Sequence, residues 1–183
     1  MEKENASIIR IAFIGPESTA KSTLSKQLAQ HFNTVWIEEH ARKYLSKLNR
    51  KYTIDDILEI SKQQLITEEK EIQNARKFIF IDTELINAKV WCMDVFKSCP
   101  AFISEAISKH KYDLYLLTFP DLKWEPDPLR ENPTRREFLF NWYEKELKSI
   151  QANYAIIKGK NDQRFLNCIS SIENYLKESK INL

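Results

Sequence analysis

Gly15-Pro16-Glu17-Ser18-Thr19-Ala20-Lys21-Ser22-Thr23 is the stretch on which the reading of this chain turns. It follows the apolar run Ile8-Ile9-Arg10-Ile11-Ala12-Phe13-Ile14 and precedes the helix-forming Leu24-Ser25-Lys26-Gln27-Leu28-Ala29, so the order is strand, short loop, helix. Within the loop the pattern is G-x-x-x-x-A-K-S, one residue away from the phosphate-binding pattern G-x-x-x-x-G-K-[ST]. That spacing suits anion binding because successive backbone N–H groups turn into a concave nest at a helix N-terminus, where the helix dipole also favours negative charge. Lys21 is then placed to reach the β- and γ-phosphates of a nucleoside triphosphate, and the Ser22 hydroxyl to ligate Mg²⁺. All nine residues from Gly15 to Thr23 are therefore candidate nucleotide-binding positions. Ala20 departs from the pattern, and a left-handed backbone there costs alanine about 1–2 kcal/mol. Two competing readings stay open: an ordinary βα turn capped by Ser18 or Thr19, and a degenerate loop that binds nucleotide without turning it over.

A second apolar run, Phe78-Ile79-Phe80-Ile81, ends in Asp82. A continuous apolar run is what a strand buried on both faces requires. In a phosphate-loop fold a carboxylate at such a strand end holds the Mg²⁺ shell, so Asp82 joins Ser22 as a candidate metal ligand. Glu84 adds a second carboxylate at the same mouth. Val35-Trp36-Ile37 reads as a short strand ending in Glu38-Glu39. Ligands collect beyond the carboxyl ends of strands in open α/β sheets, which makes Glu39, with Arg42 on the following helix, a candidate substrate-binding residue; Glu38 is expected to cap that helix.

Thr53-Ile54-Asp55-Asp56 fits a capping-box start to an amphipathic helix running through Ile72, whose charges are expected to form a solvated face. Leu85 to Phe96 reads as a helix with Trp91 and Phe96 as core or pocket-wall aromatics. Pro100 interrupts before a short helix, and Tyr112 to Thr118 reads as the next strand. Residues 121–136 are proline-punctuated and charged, too polar for a simple connector, and are expected to form a lid carrying Arg130, Arg135 and Arg136. For Arg135 and Arg136 a solvated surface role stays open. Thr134 is the expected N-cap of a helix ending near Ser149. Tyr154 to Ile157 is a last short strand, and Phe165, Ile169, Ile172 and Leu176 mark the core face of a closing helix.

The chain has 183 residues, 43% hydrophobic and 30% charged, with a formal net charge of +2. This is an ordinary globular balance for one domain over residues 1–183, and it offers no electrostatic footprint for nucleic acid. Met1-Glu2-Lys3-Glu4-Asn5 lacks the layout of a signal peptide, and no apolar run reaches the length of a membrane span, so a cytoplasmic protein is expected. Cys92, Cys99 and Cys168 have no metal-ligand spacing and read as incidental thiols. Strands alternating with helices, joined to the loop at Gly15, predict an α/β fold: a three-layer αβα P-loop NTPase with a central five-stranded parallel sheet and a lid. No N-K-x-D guanine-reading motif is present, and the length suits a small-molecule kinase.

With these residues in place, the chain resembles the ribosylnicotinamide kinase domain of NadR-type proteins, grouped with small AAA-like ATPases. The resemblance runs from about Ile8 to the closing helix. It rests on G-P-E-S-T-x-K-S-T at 15–23, on E-x-x-R-x-Y at Glu39, Arg42 and Tyr44, on Phe80-Ile81-Asp82-Thr83-Glu84, similar to the family's F-I-D-T-D, and on W-x-x-D-x-L-R at Trp124, Asp127, Leu129 and Arg130. It implies transfer of the γ-phosphate of ATP, with Mg²⁺, to the 5′-hydroxyl of nicotinamide riboside, without the DNA-binding and adenylyltransferase modules of longer relatives. The expected partner is a small nucleoside, neither nucleic acid nor membrane. In this scheme Lys21, Asp82, Glu39 and Arg130 are the candidate catalytic residues, Glu39, Arg42 and Asp82 meet the acceptor, and Arg164 flanks the adenine. A nucleotide sensor without kinase activity, or a kinase for another nucleoside or small metabolite, is the alternative.

Overall fold

The computed structural model describes residues 8–181, so the reading of Met1-Glu2-Lys3-Glu4-Asn5 lies outside the described residues. The apolar runs become five strands: β1 (Ile9–Ile14), β2 (Val35–Ile37), β3 (Phe78–Asp82), β4 (Leu114–Thr118) and β5 (Tyr154–Ile157). All pair in parallel, in the order β2-β3-β1-β4-β5. β3 and β4 are buried along their whole length, as continuous apolar sequence in a parallel sheet requires, while the edge strands β2 and β5 are only partly covered.

Side-chain alternation divides the core in two. Ile9, Ile11 and Phe13 of β1, with Phe78, Phe80, Leu114 and Leu116, meet α1 (Lys21–His31) and α7 (Asn161–Glu178) on one face. Ala12 and Ile14, with Ile79, Ile81, Tyr115 and Leu117, meet α3 (Ile54–Glu71), α4 (Leu85–Phe96), α5 (Ala101–Lys109) and α6 (Arg136–Ser149) on the other. The result is the expected three-layer arrangement. The registers Phe13↔Asp82 and Ile14↔Leu117 bring the carboxyl ends of β1, β3 and β4 level. β1 neighbours β3 on one side and β4 on the other, so connections leave in opposite directions from this point and open a crevice there.

Several expectations about helix ends need correction. α1 begins at Lys21, with Ala20 in the N-cap position and no side-chain cap, so neither Ser18 nor Thr19 caps it. The short helix α2 (His40–Leu45) has Glu39, rather than Glu38, at its N-cap, and that carboxylate makes no capping bond. α6 follows Arg135 rather than Thr134. The capping box at Thr53 and Asp56 is present.

The expected solvated face of α3 is partly an interior one. Asp56, Ser61, Gln64 and Glu68 are buried, because partners from distant segments reach them. The Arg50 guanidinium and the Tyr44 hydroxyl donate to Asp56. The Tyr112 hydroxyl lies 2.9 Å from Glu68 Oε2, and Gln64 Nε2 donates to Glu68 Oε1 at 3.3 Å. Burial outweighs these bonds and pushes the Glu68 carboxyl up to about 7. A carboxyl raised in the folded state stabilises the fold below its ordinary value of 4.5 and loses that contribution as pH climbs through 7. Glu68→Gln removes this titration. Its stability relative to the parent, measured by urea unfolding at pH 5 and pH 8, is expected to rise between the two by up to about 3 kcal/mol; a constant difference would refute the assignment.

Candidate active site

The loop after β1 is shaped by a close approach. Gly15 has φ +140°, and a Cβ there would lie 2.5 Å from Thr118 Oγ1 at the end of β4. The Thr118 hydroxyl lies 3.2 Å from the Ile14 carbonyl and 2.7 Å from the Thr19 hydroxyl, which lies 2.7 Å from the Pro16 carbonyl, so the two hydroxyl protons are shared among three contacts. Ser18 and Ala20 are left-handed, at φ 56° and 65°. Left-handed residues alternating along a turn give the backbone curvature from which anion nests are built. Ala20 thus occupies the conformation that glycine supplies without strain, and Ala20→Gly is expected to raise stability by about 0.5–1 kcal/mol in denaturant unfolding after the entropic cost of glycine.

Residues far apart in sequence converge on this loop. Lys21 Nζ donates to the carbonyls of Gly15 and Pro16 at 2.9 and 2.8 Å. Withdrawal from water pulls its ammonium below the usual lysine value, against the opposing charges of Glu39, Asp82 and Glu17, with Arg130 acting in the same direction as withdrawal. Asp82, fully buried at the end of β3, has the Thr83 hydroxyl 3.5 Å from its Oδ1, and its Oδ2 has no partner. Burial and the Glu39 charge push its carboxyl up to about 6, against Ser22 and Lys21. Glu84 lines the cavity beyond the loop, as its position suggests, and has a structural part as well. It is the N-cap of α4, accepts from the Ile86 amide at 2.8 Å, and burial pushes it up to about 8.

Beyond the loop lies a cavity of about 1010 Å³. Lys21, Ser22, Glu39 and Arg42 line it near the loop, and Tyr52, Trp91 and Phe96 form an aromatic wall. Trp91 Nε1 donates to the Tyr52 hydroxyl at 3.1 Å. Residues 121–135 cross the loop without forming a helix or strand. Arg42 Nη1 meets Asp127 Oδ2 at 2.9 Å, which joins the second strand's exit to this segment. Arg130 donates to the Glu125 carbonyl and lies 3.5 Å from Ser18 Oγ. Arg135 pairs with Asp94, and Arg136 donates to the carbonyls of Ser18 and Leu122, so neither is simply solvated.

Arg164 stands apart from the cavity. It is 2% exposed, and its guanidinium is taken up by Asp121 and by the carbonyls of Gly159, Phe119 and Thr19. The place expected to flank an adenine is a clamp behind the phosphate loop. Sequence reading also missed Tyr52, which carries no periodic signal just before the capping box, and Asn87, which donates to the Gly15 carbonyl at 3.3 Å. Among the described residues no group of three or more His, Cys, Asp or Glu is disposed to hold a metal, and no helix is long and apolar enough to cross a membrane.

Loop, strand-end carboxylate and strand order define a P-loop protein of kinase-like architecture. The AAA domain model matches residues 10–164, and the chain belongs to that family. It is 27% identical over 177 residues to the trifunctional NAD biosynthesis/regulator protein NadR of Salmonella typhimurium, covering 92% of this chain and 43% of the relative. The Escherichia coli NadR is 26% identical over 180 residues with the same 43% coverage. The chain therefore spans less than half the length of these relatives. Among solved structures, NadR protein in complex with NR superposes with a TM-score of 0.79 at 21% identity, covering 92% of this chain and 51% of that one. Thymidylate kinase from Ehrlichia chaffeensis gives 0.62 at 12% identity, covering 91% and 99%.

The clamp gives a prediction. Arg164→Met takes the guanidinium from Asp121 Oδ1 and three carbonyls, leaving Asp121 only the Gly159 amide, and is expected to lower stability by about 3 kcal/mol in denaturant unfolding. A loss under about 1 kcal/mol would show that water replaces the guanidinium freely.

Proposed function

We propose that this chain is an ATP-dependent phosphotransferase that phosphorylates the 5′-hydroxyl of nicotinamide riboside, giving nicotinamide mononucleotide and ADP. The observation that carries this reading is the convergence of Lys21, Ser22, Glu39 and Arg130 on the lining of a cavity large enough for a nucleoside, with the buried Asp82 carboxyl within electrostatic reach of Lys21 and Glu39. The similarity to NadR supplies the acceptor: a structure of that protein holds NR, and another holds AMP-PNP.

Each residue's part follows from its position. The loop amides and Lys21 bind the β- and γ-phosphates and offset their charge. The unpartnered Asp82 Oδ2 beside the Ser22 hydroxyl forms an oxygen donor set that suits Mg²⁺, which when bound supplies charge neutralisation on the phosphates. Glu39, at the end of the second strand, accepts the proton of the attacking 5′-hydroxyl as its oxygen bonds to the γ-phosphorus and the bond to the β-phosphate oxygen breaks. Arg42 orients the acceptor, and Arg130, on a lid formed by residues 121–136, balances charge on the migrating phosphoryl group. The aromatic wall offers the acceptor base an apolar surface and keeps water out.

One observation favours a second reading. The strained Ala20 is compatible with a nucleotide sensor that does not turn over, and the thymidylate kinase and deoxyadenosine kinase folds leave room for a different nucleoside. ADP release measured with nicotinamide riboside and with a panel of other nucleosides separates these. Nicotinamide riboside is expected to give the highest kcat/KM, and Lys21→Ala and Asp82→Asn are each expected to lower it at least about a hundredfold while retaining the parent's melting behaviour. Mg-ATP binding without acceptor-dependent ADP release would favour the sensor, and a preferred acceptor elsewhere in the panel would replace nicotinamide riboside.

A further inference from the structure

Glu17 belongs to the stretch whose nine positions are candidates for nucleotide binding, but its side chain is acidic and would repel the phosphates that the loop amides collect. Its acceptors are nevertheless engaged. Both carboxylate oxygens accept from the Glu131 amide, at 3.1 and 3.2 Å, and Oε2 also accepts from the Asn132 amide at 2.9 Å. Ser18 beside it accepts from the Glu125 amide at 2.9 Å. The loop thereby holds the crossing segment at two places, one on each side of Asp127. That segment forms neither helix nor strand, so its shape depends on such anchors. Arg130 precedes Glu131 directly, so fixing the amides of residues 131 and 132 fixes where its guanidinium is carried. A further bond runs on toward the aromatic wall: the Tyr52 hydroxyl donates to Glu131 Oε2 at 2.8 Å and accepts from Trp91 Nε1.

We propose that Glu17 is a positioning residue: its carboxylate binds the backbone of the 121–136 segment to the phosphate loop and so sets Arg130 at the site of phosphoryl transfer. This rests on the kinase reading for its catalytic consequence, but the binding of the segment does not. Two backbone amides donating to one side-chain acceptor group are enough to hold a short irregular segment against opening.

The segment carries its own reporter, since trypsin cleaves after Lys123 and Arg130. Full-length parent, Glu17→Ala and Glu17→Gln are compared by limited trypsin digestion with mass-mapped products, by calorimetric titration with Mg-ATP, and by ADP release, after melting curves establish equal folding. Glu17→Ala is expected to speed cleavage after Lys123 and Arg130 about tenfold and to lower kcat about tenfold, with Mg-ATP affinity unchanged or tighter. Glu17→Gln, which keeps an acceptor oxygen, is expected to recover most of both. Equal cleavage in all three proteins would overturn the proposal. So would equal impairment of the two variants, which would make charge rather than hydrogen bonding the cause, or a tenfold loss of Mg-ATP affinity in Glu17→Ala, which would place Glu17 in nucleotide binding. If no acceptor releases ADP, the kinase reading falls while the cleavage pattern still decides how Glu17 acts.

Discussion

Gly15 and Thr118 approach so closely that no side chain fits between them, and the whole carboxyl edge of the sheet is arranged around this contact. β1 must end there, and the chain must turn away with a backbone that only glycine adopts freely. The Thr118 hydroxyl then holds the Ile14 carbonyl and the Thr19 hydroxyl, so the end of β4 serves as a template for both sides of the phosphate loop. Parallel pairing on the other flank of β1 brings Asp82 level with the same point. Two strand neighbours thus fix two halves of one site, and the apolar sheet interior behind them makes the arrangement rigid.

That interior is apolar near the loop but strongly polar farther back. Glu68, Glu84, Tyr112 and Tyr143 are buried between the sheet and helices α3, α4 and α6. Burial raises each of these groups, and the neighbouring acidic charges reinforce the effect on the tyrosines. Of these four, Glu84 and Tyr143 line the cavity, while Glu68 and Tyr112 pair with each other behind it.

How much of this was legible in the sequence follows from the range of the interactions. The central strands were legible because a strand covered on both faces writes itself as unbroken apolar sequence, as Phe78 to Ile81 does. The phosphate loop was legible because its spacing serves a local backbone geometry. The polar stripe of α3 was not. Asp56, Gln64 and Glu68 lie at multiples of four residues on one face, and only partners such as Tyr112, reached through the fold, decide that the stripe is interior. Arg164 failed for the same reason, since nothing near it in the chain announces a buried clamp. The roles of Glu38 and Glu39, and of Thr134 and Arg135, were misjudged by one residue because capping propensity competes with contacts made elsewhere, here the pairing of Arg135 with Asp94.

The bond from Arg164 to the Thr19 carbonyl spans 145 residues of sequence. The signature stretch near the start of the chain is thus finished only when the last helix docks behind it. Contacts of such separation form late, because the intervening chain must be ordered first. During synthesis, a ribosome-bound fragment that already displays every residue of the loop still lacks the brace that fixes its curvature. The curvature of the phosphate loop is therefore a property of the docked α7 as much as of the loop's own sequence.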